Sequence, residues 1–288
     1  MTKSLIRIVV LLALFNLIVI AGIGQNSFTH LCDSAEAEIN NGKLESALLI
    51  YEKAFEQGST DSAKVIWAAS ICSMCADELK DEKAVIKYNN IAIEHGATDR
   101  QMIDQQLDLA KKHKDLETIE TVLLRLKSNP EITQKYTSKL MYFYYNNKRY
   151  AETLRTADEM LGFNPNNVNA RYFKGVALLN TDHEESGIEV LEGILNDHPD
   201  NEKANYQLGV VYYNKASAVF DNANKKYKSI ETPTRVDFHN YTEEIQKAKK
   251  DYQKALPYLE KSNSIAQKEY LDQAISLAKN RLKQLAQD

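Results

Sequence analysis

The chain has 288 residues, 43% of them apolar, which is enough for a continuous core and excludes an intrinsically disordered polymer. Only 10 Gly and 5 Pro leave few strand turns, while Ala, Leu, Glu, Lys and Gln are abundant, so helices joined by short loops are expected. A formal charge of −4 supplies no concentrated basic face and argues against nucleic acid, and three cysteines are too few for a disulfide framework.

Lys3 and Arg7 precede an uncharged run from Ile8 to Gly24, and no further acidic or basic side chain appears until Asp33. Residues 1–24 read as an export signal, with Ala21-Gly22-Ile23-Gly24 favouring cleavage before Gln25. The run is also long enough to touch the lower limit of a spanning helix, so an uncleaved membrane anchor stays open as the alternative. Either reading puts residues 25–288 outside the cytoplasm, periplasmic or envelope-associated, because the positive charges stay behind. Cys32 lacks the preceding small-residue motif of a lipoprotein.

From Gln134 to Asn214 the chain repeats with a period of 34 residues. Asn146, Asn180 and Asn214 are in phase, as are Pro165 with Pro199, Tyr172 with Tyr206, Ala170 with Ala204 and Gly175 with Gly209. Within one unit Leu140, Met141 and Tyr144 form an apolar stripe, and Tyr150, Leu154, Ala157, Met160 and Leu161 form a second. Asn146-Asn147-Lys148 is the polar turn between them. Proline in Asn-Pro-Asn-Asn at 164–167 and His-Pro-Asp-Asn at 198–201 stops the second helix, and Asn or Asp can cap the next. Each unit is thus a helical hairpin that must stack on neighbours to bury its stripes. Gly175 and Gly209 fall where the paired helices approach most closely.

The spacing of Leu140, Tyr144, Tyr150, Pro165, Gly175, Pro199, Leu208, Gly209 and Tyr212 resembles the tetratricopeptide signature. The resemblance implies an all-α, right-handed α-solenoid of about six hairpins covering nearly everything from Phe28 onward. In chain order, Ala35, Gly42, Leu44, Ala47, Tyr51 and Ala54 fit a first unit, and Cys72, Ala84 and Tyr88 a second. Leu116, Ile119, Leu123, Leu126 and Pro130 fit a third, degenerate one. Thr153 and Gly187 stand where the family favours alanine. The sixth unit is interrupted at 216–250, where Val219, Ala223 and Tyr227 continue the first helix and Tyr241, Ile245, Ala248, Tyr252, Ala255 and Leu259 advance as a heptad seam. A long helical hairpin is expected there, inserted into the last repeat as a projecting arm, followed by a capping helix from Lys268 to about Ala286.

Catalytic chemistry is not indicated. Cys72-x-x-Cys75 lies mid-helix, and the bland reading is a pair of packed core thiols; Ala76 removes the histidine of a haem-attachment motif. His30, His95, His113, His183, His198 and His239 have no pair at the helical zinc spacing, so no metal site is expected. His183-Glu184-Glu185 reads as a solvated turn, and neither a phosphate loop nor a nucleophile elbow is present, so no cofactor is expected either.

What remains is a surface. The resemblance implies that the first helices line an inner groove, which would gather Ser138, Tyr142, Tyr145 and Asn146 with Tyr172, Phe173, Val176 and Asn180, and with Tyr206, Val210, Tyr213 and Asn214. Rings anchor contacts at low entropic cost, and Asn pairs with both donors and acceptors of a bound backbone. The leading expectation is a non-enzymatic scaffold holding a protein or peptide partner in that groove. The alternatives are an assembly subunit of an export or motility complex that uses the arm, and a glycan-binding module.

Overall fold

The computed structural model describes residues 27–285; the export or anchor segment read at 1–24 lies outside them. The described residues form thirteen α-helices and no strand, and the chain divides into two compact units between Tyr136 and Thr137. Unit 1 holds three hairpins: α1 (Ser27–Asn40) with α2 (Leu44–Gln57), α3 (Ser62–Glu78) with α4 (Glu82–Glu94), and α5 (Arg100–Lys112) with α6 (Leu116–Lys127). Helix α7 (Thr133–Asn146) crosses the division and is followed in unit 2 by α8 (Tyr150–Phe163), α9 (Val168–Leu179) and α10 (Glu184–Asp197). The long pair α11 (Glu202–Lys228) and α12 (Arg235–Ala266) follows, then α13 (Glu269–Gln284).

Each of the first five hairpins turns on one left-handed residue: Gly42, Lys80, Lys114, Lys148 and Asp182, with φ of 78°, 61°, 55°, 58° and 35°. Four of these turns are closed alike by a backbone N–H reaching five residues back: Lys43 to Glu38, Asp81 to Ala76, Asp115 to Ala110 and Arg149 to Tyr144, at 2.8–2.9 Å. This is the Schellman pattern that satisfies the last carbonyls of a helix. From Lys80 onward the turns recur every 34 residues, which is the physical origin of the sequence period.

The turns also correct the register of the second unit. Val85, 1% exposed, stands five residues after its turn as Ala47 does in the first hairpin, whereas Ala84 is only half-buried. Asn89 then takes the place of Tyr51. It is fully buried, and neither end of its amide has a hydrogen-bond partner. Phe28, Cys32, Ala35, Ile39, Ala47, Tyr51, Cys72, Cys75, Val85 and Tyr88 share one core in unit 1.

In unit 2 the hairpins close over glycines. A Cβ on Gly175 would lie 2.8 Å from Leu191 Cγ, and one on Gly209 2.8 Å from Leu259 Cγ. Leu191 follows its glycine by sixteen residues and Leu259 by fifty, so the insertion is one repeat long and the flanking half-repeats keep their register. The chain does not turn at Ala216, the place in phase with Asp182, but continues as α11. Its extension pairs with α12 through Ala216, Ala223, Ile245 and Tyr252, and Ser217 Oγ meets the Tyr252 hydroxyl at 2.9 Å. Helix α13 covers the end of the stack with Leu271 and Ile275, then supports the arm with Ala278 and with Leu285 just past its last residue. The Arg281 guanidinium lies 4.4 Å from the Phe220 ring centre, and Lys249 Nζ donates to the Leu285 carbonyl at 2.9 Å.

Candidate functional site

The first helices of the unit 2 hairpins, with α13, set aromatic rings in a row of two contact groups, one on α7 and α9 and one where α11 meets α13. On α7, Tyr142 and Tyr145 stand one turn apart, and both meet the edge of Phe173 on α9, with ring centres 4.7 and 4.8 Å away. These are the edge-to-face distances that aromatic quadrupoles favour. Tyr172 shares a hydrogen bond with Tyr145, and Lys203 Nζ stands 5.8 Å from the Tyr172 ring centre. Tyr206 on α11 meets Tyr270 on α13 edge-on at 5.9 Å. Beside them Lys268 Nζ lies 3.1 Å from a Glu202 carboxylate oxygen and 5.8 Å from the Tyr270 ring centre.

Burial grades along the row. Phe173 and Tyr172 are 3% and 8% exposed and form its floor, while Tyr145, Tyr206 and Tyr213 are half-buried. Tyr142 and Tyr270 remain open at 38% and 48%. Burial raises the Tyr172 phenol well above its ordinary pKa, with the neighbouring Tyr145 adding to the effect, and Tyr206 is raised in the same way, with Tyr270 second. Both stay neutral hydrogen-bonding groups across the physiological range. Tyr213 leans on Tyr252 of the arm, with ring centres 5.6 Å apart. Asn146, Asn180 and Asn214 are exposed, and Asn180 gives one amide hydrogen to its own helix at Val176, 2.8 Å away.

Sequence reasoning missed Tyr270, Glu202, Lys203 and Lys268. Tyr270 lies in the terminal helix, outside the 34-residue phase, so periodicity carries no signal for it. Repeat phase was also silent on depth: Tyr172 and Tyr206 occupy equivalent places, yet the rings of α7 cover the first far more than α13 covers the second.

The cysteines take the packing role. Cys32, Cys72 and Cys75 are buried and free; burial pushes the Cys32 and Cys75 thiols up to about 12 and that of Cys72 well above its usual value. None is a thiolate at neutral pH. Among the described residues no three His, Cys, Asp or Glu side chains stand in a metal-holding group.

Stacked hairpins of 34 residues, closed over glycines and presenting their first helices as one row, define an all-α tetratricopeptide-type repeat solenoid. No protein-family model and no curated protein matches the chain. Among solved structures it is similar to a proposed protein binding protein from Bacteroides ovatus, with 21% identity and a TM-score of 0.51 over 78% of this chain and 100% of that one. It is also similar to a tetratricopeptide repeat protein from Parabacteroides merdae, with 14% identity and a TM-score of 0.38 over 88% and 99% of the two chains. A third is YrrB, a TPR protein with an unusual peptide-binding site, at 18% identity and a TM-score of 0.34 over 60% and 88%.

Proposed function

We propose that the chain is a non-enzymatic scaffold on the outer side of a bacterial-type inner membrane, and that unit 2 holds a segment of a partner protein against the row from Tyr142 to Tyr270. The observation that carries this reading is the row itself: rings packed edge to face below, with open rings at either end. A floor locked by packing is preorganised, so a bound chain loses little affinity to ordering of the protein side chains. Lys203, Lys268, Glu202 and the exposed asparagines supply donors and acceptors for its backbone.

Tyr142→Ala and Tyr270→Ala separate binding from folding better than changes to the floor, because these are the most exposed rings of the row at 38% and 48%. Each is expected to weaken partner capture by about 1–3 kcal/mol, the cost of losing an interface anchor, with little change in melting. Undiminished capture by the doubly substituted protein would remove the row as the site. Oligosaccharide binding lost in the same variants, without any protein partner, would favour the glycan reading instead. The location rests on Lys3, Arg7 and the Ile8–Gly24 run. A phosphatase reporter fused after the last residue should be active in cells, and an inactive one would place the chain in the cytoplasm.

A further inference from the structure

The tip of the arm contradicts the local rules of helix building. Helix α12 begins at Thr234, whose hydroxyl accepts from the Asp237 N–H while the Asp237 side chain accepts from the Thr234 N–H, a closed capping box. Inside that well-made start, Arg235 occupies the first helical position, where a positive charge opposes the helix dipole. Val236 follows at 67% exposure, where the capping motif asks for no apolar side chain, and Phe238, at the N4 place a hydrophobic staple uses, stays 53% exposed all the same. Phe238 is held in place by Tyr227 and Tyr241, with ring centres 6.2 and 6.5 Å away. Ile230 in the connecting loop is half-buried beside them.

Around these side chains the charge reverses sign relative to the protein. The whole chain carries −4, yet residues 225–242, which make the tip, hold Lys225, Lys226, Lys228 and Arg235 against Glu231 and Asp237. The Asp237 carboxylate is engaged by the Thr234 backbone and hydroxyl. Glu243 and Glu244 line the same cleft as Lys226 and Ile230, paired with His239 and Lys247 respectively, and Asp221 lies lower on the arm. Lysines in the last turn of α11 suit the dipole of that helix, but Arg235 does not suit that of α12. Local sequence choices that oppose their own element mark sites kept for another purpose.

We propose that the arm tip inserts Val236 and Phe238 into an anionic membrane surface, with Lys225, Lys226, Lys228 and Arg235 against the lipid headgroups. A few apolar side chains are too small a patch for the core of a stable protein interface, which needs on the order of 1,000 Å². They are sufficient for interfacial lipid binding, where shallow apolar insertion adds to electrostatic attraction by a basic cluster. This surface is separate from the ring row of the proposed function, and either reading can fail alone.

The test uses the full-length chain with Phe238→Trp in a Trp67→Phe background, so that the only indole reports from the tip and association through residues 1–24 does not imitate its signal. Phosphatidylglycerol-rich vesicles should shift its emission to the blue, and brominated acyl chains should quench it; phosphatidylcholine vesicles should do neither. Adding Lys225→Glu and Lys226→Glu should weaken the effect tenfold or more, as should raising the salt concentration, with the far-UV helical signal unchanged. Emission that stays solvent-like on both vesicles, or an affinity indifferent to the two charge reversals, overturns the proposal. A tip that responds to an acidic protein but to no vesicle would assign it to a protein partner and overturn it equally.

Discussion

Replacing Gly187 by alanine, the residue the repeat pattern favours at that place, should destabilise this protein. Alanine gains about 1 kcal/mol over glycine in a helix interior. At Gly187 the added Cβ would sit 2.8 Å from Leu179 Cγ and 2.9 Å from the Gly175 carbonyl oxygen. The leucine can rotate, but the carbonyl belongs to the backbone of α9 and moves only with the helix. Overpacking of this kind costs about 1–3 kcal/mol, and an immovable backbone oxygen puts it in the upper part of that range, so the net expectation is a loss of up to about 2 kcal/mol. Gly162, in α8, is the internal control because a Cβ there meets nothing within 4 Å, and Gly162→Ala should stabilise by up to about 1 kcal/mol. Urea titrations followed by far-UV circular dichroism, with amide exchange read separately in α9 and α10, distinguish the two. If Gly187→Ala raised stability as Gly162→Ala does, the close crossing of α9 and α10 would be refuted.

Other consequences follow from the same geometry. Lys148 holds φ of 58°, so Lys148→Gly should raise the urea midpoint by an amount equivalent to up to about 1 kcal/mol, and an unchanged midpoint would argue against a left-handed turn there. Thr234→Ala opens the capping box and should cost about 1 kcal/mol, seen as faster amide exchange at the start of α12 with α9 and α10 unaffected. The Asp115 carboxyl is held below its ordinary pKa, first by the Thr118 backbone N–H and then by the Thr118 hydroxyl. Its contribution is full above the unfolded value of about 3.9 and is lost as pH falls through the lower folded value. Protection of the Thr118 amide should therefore decline below about pH 4, and Asp115→Asn, which keeps a capping oxygen, should flatten that dependence.

The hairpin order, the in-phase glycines and the inserted arm were legible because turn chemistry and apolar spacing recur at one period. Asn-Pro and His-Pro stops, Gly175 and Gly209, and the Tyr241-to-Leu259 seam each state a local physical requirement in residue types. The register of the second hairpin was less legible. Its turn lies thirty-eight residues after Gly42 and uses Lys80 in the left-handed conformation, a place where sequence offers no glycine as a marker. Depth within the ring row was not legible either, since burial of Tyr172 and Phe173 depends on rings from α7 and not on their own periodicity. Tyr270 became part of the row only through the return of α13 beside α11.

Site-specific photo-crosslinking in cells producing the full-length chain tests most directly whether the ring row receives the partner. A photoreactive residue at Tyr142 or Tyr270 should give the same crosslinked partner protein, and one at the exposed Arg155 or Glu189 on the second helices of these hairpins should not. A partner captured from Arg155 and Glu189 but never from Tyr142 or Tyr270 would contradict the account and move recognition off the aromatic row.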